Sequence, residues 1–260
     1  MKEYLKKHLT AIISGAISLV VMWLVWLIAE RTVKNEYVIP SFSQTLQAVF
    51  KVLGEEFFWR ALLNTLLRTL YAFLISFVLA GVTSALGRIF KPFSSFLTPI
   101  ITVIRTLPTM AVLVLILIYT SVKTAPVIVA SLVLFPMIYA QFNVAFGRVD
   151  DGIIKAVKIF KLTKKQRLFK VYLPLVAPTV VSHIGSNLSF GVKLVISAEV
   201  MALTFTSIGG MMQAANAVMN VPRLMALTLV AVIIGLVFEL IGGVITRSLF
   251  AWDKKEKDND

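Results

Sequence analysis

The chain of 260 residues contains no cysteine, only two histidines and few charged residues. The absence of cysteine excludes disulfides, thiol catalysis and cysteine-based metal sites. His8 and His183 lie far apart without metal-ligand spacing, so we expect no zinc or haem. Charged residues make up 15% of the chain and apolar residues 58%, whereas soluble domains have about 25% and about 45–50%. This balance indicates a protein surrounded by lipid.

Acidic residues are also scarce, with 13 Asp and Glu against 26 Lys and Arg. The resulting net charge of +13 is concentrated in the segments between apolar stretches. A nucleic-acid-binding protein would carry such charge on a soluble face, whereas membrane proteins carry it in their cytoplasmic loops. We therefore expect a lipid bilayer around this chain and no nucleic acid partner.

Apolar stretches of sufficient length to cross a bilayer occur six times. We predict spans at residues 10–29, 61–86, 96–119, 125–146, 175–203 and 224–245. Lysines precede the first stretch as in a signal peptide, but it exceeds a signal core in length and lacks a cleavage site. The prediction is thus an all-α polytopic membrane bundle of six transmembrane helices, forming one domain over residues 1–260.

The orientation of this bundle follows from its basic residues. Seventeen Lys and Arg lie in the segments assigned to the inner side and six in those assigned to the outer side. Cytoplasmic loops carry such an excess, so both termini are predicted to be cytoplasmic. On the outer side, Leu46, Val49, Phe50 and Leu53 form an amphipathic helix that either lies along the interface or packs on the bundle.

Residues 147–173 form a long basic segment between the fourth and fifth spans. Ile153, Val157 and Phe160 make an apolar stripe on a lysine-rich helix. By periodicity alone, this stripe fits a groove in a partner protein and the surface of anionic headgroups equally well.

A second short helix is predicted in the same segment. Thr163 and Gln166 have the spacing of a capping box, in which two side chains satisfy the free backbone groups at a helix start. This helix is expected to end before Leu173 and Pro174, because proline disfavours helical geometry in the preceding residue.

The segment resembles the cytoplasmic loop of binding-protein-dependent ABC importer permeases, whose pattern is E-A-A-x3-G-x9-I-x-L-P. With Pro174 on the final proline, Ala156 and Leu173 match, and Val157 and Val171 are conservative replacements. Lys155 and Lys161 replace the glutamate and the glycine. A partner surface with compensating acidic residues is therefore expected.

Further motifs extend the resemblance to residues 38–252 and to the nitrate, sulfonate and taurine branch of these permeases. They occur in the expected order along the chain: Ile39-Pro40-Ser41, Asn64-Thr65-Leu66-Leu67-Arg68, Arg105-Thr106-Leu107-Pro108, Asn143 with Gly147, Ala198-Glu199, Ile208-Gly209-Gly210, and Arg247 before Trp252. The resemblance implies the type I permease fold with a cytoplasmic coupling helix, in the plasma membrane of a bacterium or archaeon.

The resemblance also implies the chain's partners. Two copies of the chain would enclose the path, two ATPase subunits would bind beneath them, and an external binding protein would deliver the solute. The residues of the ATPase-docking coupling helix would be Lys155, Ala156, Val157, Phe160, Lys161, Leu162, Val171, Leu173 and Pro174. No phosphate-binding Gly-x-x-x-x-Gly-Lys-Ser/Thr motif occurs here, so ATP and magnesium are expected in the partner and no cofactor in this chain.

Polar residues within the spans are candidates for the translocation path, because an ionised group at mid-bilayer costs about 2.5–3.5 kcal/mol unless it meets a partner or a cavity. The candidates are Arg105, Pro108, Asn143, Lys193 and Glu199. Arg105 and Pro108 indicate an interrupted helix, and Lys193 and Glu199 are each expected to pair with another span. Arg68, close to a span end, is expected to extend towards the headgroups.

The predicted function is that of a transport subunit and not an enzyme. A small anion such as a sulfonate, taurine or nitrate is the favoured substrate, and a thiamine precursor or riboflavin is the alternative. A secondary transporter would show inverted repeats or several deep carboxylates, which this sequence lacks. An intramembrane enzyme would need a His-Glu-x-x-His or comparable motif, which is also missing.

Overall fold

The computed structural model describes residues 2–147, 163, 166 and 168–250, and within these ranges the chain is helical and contains no strand. The all-α prediction is therefore confirmed. In chain order, the helices are α1 (Lys2–Val33), α2 (Phe42–Leu53), α3 (Glu56–Ile89), α4 (Lys91–Thr106), α5 (Thr109–Tyr119), α6 (Ala125–Gly147), a π-helical turn (Leu168–Tyr172), α7 (Leu173–Ser182), α8 (Ile184–Met201), α9 (Ile208–Ala217) and α10 (Val221–Leu249).

Among the described residues, five helices are long and apolar enough to cross a membrane, and a sixth crossing is reached if one bent pair is counted as a span. By length and composition, α1, α3, α6, α8 and α10 can each cross a membrane. Helices α4 and α5 pass the same test together, although they are bent by 97° relative to each other. Counted as one span, this bent pair gives the sixth crossing.

The break between α4 and α5 lies where the sequence indicated an interruption. Leu107 and Pro108 have extended backbone conformations between the two helices. Proline restricts the residue before it to such a conformation and provides no N–H for a helical hydrogen bond. The sharp bend places Arg105, in the last turn of α4, beside α6.

The centre of the bundle lies between α3 and α6. Small residues of α3, including Ala72 and Ala80, are fully buried against Leu134 and Ile138 of α6. Small residues allow close approach of helices, which is how spans gain van der Waals contact in lipid.

Helix α2 packs on the bundle, which decides between the two placements left open by its amphipathic pattern. Its Val52 is buried in a cluster with residues of α3, α8 and α10. Its start is fixed by a capping box, in which the Ser41 hydroxyl accepts from the Gln44 N–H at 3.1 Å and the Gln44 side chain accepts from the Ser41 N–H at 3.0 Å.

The fifth span differs from the prediction in two places. The backbone continues through Leu173 and Pro174, because the π-helical turn leads directly into α7 and Pro174 occupies its first turn, where a missing N–H costs little. The expected helix end before these residues is therefore wrong. The span is also divided at His183, whose Nδ1 lies 2.7 Å from the Thr179 carbonyl oxygen.

Candidate functional site

Two cavities flank Arg105 at the break in the third span, and we name them the Arg105 cavities. The first measures about 310 Å³ and is lined mainly by polar residues of α4 and α6: Ser94, Thr98, Thr102, Tyr139 and Asn143. The second measures about 420 Å³, and its lining includes Leu107, Thr109, Gln141 and Phe190. Arg105 and Pro136 line both, and neither set of described lining residues contains a carboxylate.

Arg105 is exposed to these cavities and retains most of its hydrogen-bonding capacity. A guanidinium group has five N–H donors. Within the described ranges, Arg105 makes one long contact, from Nη2 to the Pro136 carbonyl oxygen at 3.5 Å. Its forked geometry matches the oxygens of a carboxylate or a similar anion. The arrangement provides a cation, hydroxyls and an amide for a small anionic group.

The other predicted path residues lie at different places. Asn143 lines the first Arg105 cavity, and Pro108 is exposed at the helix break. Lys193 is exposed on α8, on the same face as Phe190, Ser197 and Met201. The expected ion pair between Lys193 and another span is not present among the described residues. Lys193 thus adds a second exposed cation within a membrane span.

Glu199 lies in a separate place that no described cavity reaches. It is fully buried, and its carboxylate accepts hydrogen bonds from Thr65 Oγ1 at 2.9 Å, Arg68 Nη1 at 2.7 Å and the Gly209 N–H at 3.2 Å. The expected partner on another span is thus confirmed. The side chain is enclosed by α3, α8 and α9, and its role in the translocation path stays a prediction.

Arg68 corrects a second expectation. Its side chain is 13% exposed and points to Glu199, so it does not extend towards the headgroups. A buried carboxylate is strongly destabilising unless it is paired and hydrogen-bonded, and Arg68 supplies that compensation. The sequence placed Arg68 close to a span end but carried no sign of which span lies opposite.

A pair of amides was missed by the sequence analysis. Gln141 Nε2 donates to Asn187 Oδ1 at 2.9 Å, and Asn187 Nδ2 donates to Gln141 Oε1 at 2.8 Å. The pair joins α6 to α8, and Gln141 also lines the second Arg105 cavity. The sequence signal for this pair was the presence of amide side chains in two predominantly apolar spans.

The predicted coupling segment is described only in part. Lys155, Ala156, Val157, Phe160, Lys161 and Leu162 lie outside the described residues. Of the remaining docking residues, Val171 is half-buried, and Leu173 and Pro174 are exposed at the start of α7.

The predicted capping box in this segment is confirmed. The Thr163 N–H donates to Gln166 Oε1 at 2.9 Å, and the Gln166 N–H donates to Thr163 Oγ1 at 3.3 Å. These two hydrogen bonds are the ones that the sequence pattern predicted.

Comparison with known proteins gives the context of these features. The family model described as "Binding-protein-dependent transport system inner membrane component" matches residues 77–251. The taurine transport system permease protein TauC of Escherichia coli (strain K12) is 25% identical over 255 residues, which cover 95% of this chain and 91% of TauC. The glycine betaine transport system permease protein OpuAB of Bacillus subtilis (strain 168) is 26% identical over 55% of this chain and 51% of its own length.

Solved structures show the same fold. A chain in the crystal structure of an amino acid ABC transporter with histidines aligns over 74% of this chain and 94% of its own, with a TM-score of 0.62 and 19% identity. A chain of the MetNI methionine ABC transporter, in inward-facing conformations, aligns over 73% and 93% with a TM-score of 0.59 and 19% identity. The bundle is thus the type I fold of ABC importer permeases.

Proposed function

This chain belongs to the family of binding-protein-dependent transport system inner membrane components, and from that premise we propose how its importer is assembled and what it carries. The chain is a multi-pass permease subunit of an ABC importer. In our proposal, two copies enclose the path, two ATPase subunits bind their coupling segments, and an external binding protein delivers a small organic anion or zwitterion that carries a sulfonate or carboxylate group.

The exposed guanidinium of Arg105 is the observation that supports the proposed substrate class. Its guanidinium is exposed between two cavities whose described lining residues contain no carboxylate. A bidentate contact from arginine to a sulfonate or carboxylate is charge-assisted and therefore stronger than a neutral hydrogen bond. Lys193, on α8, is a second exposed cation within a membrane span. Taurine and glycine betaine, named for two related permeases, both combine a small size with one such acidic group.

The energy source is proposed to be ATP bound, with magnesium, in the partner subunits. This chain lacks the glycine-rich phosphate-binding motif that ATP hydrolysis would require. The basic segment at residues 147–173 would dock the ATPase, and Leu173 and Pro174 would pass its motion directly into the fifth span through the continuous backbone of α7. ATP binding would then shift the population between two packings of the bundle.

A pull-down from detergent tests this assembly. The tagged chain should recover a stoichiometric ATPase, identified by mass spectrometry. The recovery should be lost in the double variant Lys161→Glu and Phe160→Ala, because it reverses a charge and removes an apolar anchor of the docking helix. Lys123→Glu, in the loop predicted on the opposite side of the membrane, is the matched control and should retain the ATPase. Recovery of the chain alone, active in liposomes without ATP, would contradict the proposal.

A further inference from the structure

Helix α9 is held to the bundle at its first turn by the buried carboxylate of Glu199. The Gly209 N–H donates to Glu199 Oε2 at 3.2 Å, and the Ile208 N–H donates to Thr65 Oγ1 at 3.0 Å. Thr65 in turn donates to the Glu199 carboxylate. The first N–H groups of a helix have no partner within the helix and carry the positive end of its dipole, so a carboxylate there is stabilising.

Gly209 allows this contact because it has no side chain. A β carbon at this position would lie 2.4 Å from Cβ of Glu199 and 2.7 Å from the Ile196 carbonyl oxygen. Both neighbours belong to α8, and the second is backbone that cannot turn away. The approach of α9 to α8 is therefore fixed closely at this point, and any displacement of α9 must break the hydrogen bonds to Glu199 and Thr65.

The opposite side of α9 is open. Gln213, Ala214 and Ala217 line a cavity of about 440 Å³, together with residues that include Phe57 and Arg223. The buried residues of the helix are Ile208, Gly209, Met211 and Ala215, of which Met211 also borders this cavity. One face of this short helix is thus anchored in the bundle and the other borders space into which it can move.

Two strained residues stand at the ends of the segment that contains α9. Leu203 has a φ of 53° and Met219 a φ of 52°. Leucine and methionine rarely adopt this left-handed region, because their Cβ atoms crowd the backbone there. Such strain occurs at switch regions of proteins, where a change of conformation releases it. The two strained residues thus mark the ends of a segment, Leu203 to Met219, that can move as one unit.

We propose that Glu199, held by Arg68 and Thr65, is the positioning residue that fixes the start of α9, and that displacement of α9 opens this end of the bundle during transport. This proposal rests on the proposed function of the chain as part of an ATP-driven importer. Glu199 touches no substrate in this account. It sets the closed position of α9 and so determines whether ATP hydrolysis leads to passage of solute.

The absence of cysteine from the sequence makes a direct test of the anchor available. A single reporter, Ala215→Cys, places a thiol on the buried face of α9, where Ala215 is 2% exposed. Thr65→Val removes the hydroxyl that binds both Glu199 and Ile208 but preserves the shape of the side chain, and Thr65→Ser is the matched control that keeps the hydroxyl. The rate of modification by N-ethylmaleimide is measured in the purified chain with its co-purified ATPase.

The expected result is modification about five- to tenfold faster in Thr65→Val, because loss of the two hydrogen bonds raises the population with α9 displaced. Thr65→Ser should match the unaltered chain. Glu199→Gln should also raise the rate of modification at position 215. A second reporter at the fully buried Ala130 of α6, Ala130→Cys, should stay unmodified in every variant, which excludes general unfolding. Equal modification rates at position 215 in Thr65→Val and Thr65→Ser would contradict the proposal that Thr65 and Glu199 hold α9 in place.

A transport assay distinguishes a gating role of α9 from a purely structural role. With taurine as the probe, Thr65→Val should hydrolyse ATP at the unaltered rate while taurine uptake per ATP falls about fivefold, as expected for a shift of the α9 equilibrium. Faster labelling with unchanged uptake per ATP would overturn the gate. If the unaltered chain shows no ATP-dependent uptake of any solute, the proposed function fails, and the labelling experiment still decides whether Glu199 and Thr65 anchor α9.

Discussion

Gly185 of α8 and Gly242 of α10 pack backbone against backbone. A β carbon added at Gly242 would lie 2.5 Å from the Gly185 Cα, and one added at Gly185 would lie 2.7 Å from the Phe238 carbonyl oxygen. The contact lies two residues after the break at His183, so it fixes where the second part of the fifth span crosses the last helix. Close approach of this kind depends on small residues at the interface between spans.

Gly242→Ala should lower the free energy of unfolding by about 1–3 kcal/mol, because the added methyl group forces two backbones apart. The matched control is Gly243→Ala, since a β carbon at Gly243 meets no atom within 4 Å. Alanine also has the higher helix propensity, so this neighbour should be neutral or slightly stabilising. Thermal unfolding in detergent compares the two variants, and equal loss in both would contradict the crossing described here.

Arg105→Gln should reduce uptake of taurine by about ten- to hundredfold, because a charged hydrogen-bond donor is lost from both Arg105 cavities. Uptake by Arg105→Lys should lie between that of the unaltered chain and that of Arg105→Gln, since lysine keeps the charge and loses the forked geometry. Thr106→Val is the neighbouring control, because Thr106 bonds to the Val103 carbonyl and lines neither cavity. Uptake that is equal in Arg105→Gln and Thr106→Val would remove Arg105 from the path.

The ion pair between Glu55 and Arg223 joins the start of α3 to the first turn of α10. Nη1 and Nη2 of Arg223 each donate to one Glu55 carboxylate oxygen at 2.6 Å, and each side chain is 32% exposed. Glu55→Gln should lower the melting temperature, corresponding to about 1 kcal/mol at low salt. Glu56→Gln is the control, because its partner Arg60 is 72% exposed and such pairs contribute about 0–0.5 kcal/mol. A loss of equal size in both variants would show that the bidentate geometry contributes nothing.

Thr163→Ala should weaken association with the ATPase. Replacing a capping threonine by alanine costs about 1 kcal/mol of helix stability, and the helix that we predict after Thr163 lies in the predicted docking segment. Thr163→Ser keeps the hydroxyl and should behave as the unaltered chain. The amount of ATPase recovered in the pull-down, measured across a series of salt concentrations, checks this prediction. Identical recovery from Thr163→Ala at every salt concentration would be evidence against a role of this helix in docking.

Features set by short stretches of sequence were predictable. The apolar lengths predicted six crossings, Pro108 marked the break in the third, and the capping box at Thr163 and Gln166 was placed correctly. Each of these depends on residues within a few positions of one another, so local physics determines them.

Features set by contacts between distant residues were not predictable in the same way. Arg68 and Glu199 are 131 positions apart, and nothing in the sequence identified the two as partners. The short helix α9 was also missed, although Ile208, Met211 and Ala215 have helical spacing and the Ser207 hydroxyl caps its start by accepting from the Gly210 N–H at 2.9 Å. The adjacent Gly209 and Gly210 disfavour a helix by propensity, and the contact of its first turn with Glu199 is made by a distant residue. Leu173 and Pro174 misled the prediction because a π-helical turn accommodates the proline.

We propose that this chain moves solute only when a partner hydrolyses ATP. The most direct measurement uses proteoliposomes that contain the chain with its co-purified ATPase and binding protein, filled with either ATP or a non-hydrolysable analogue, and exposed to radiolabelled taurine and, separately, glycine betaine. We expect uptake of at least one of these solutes with ATP, none with the analogue, and a strong reduction in Arg105→Gln. Uptake that proceeds equally with the analogue would contradict this proposal.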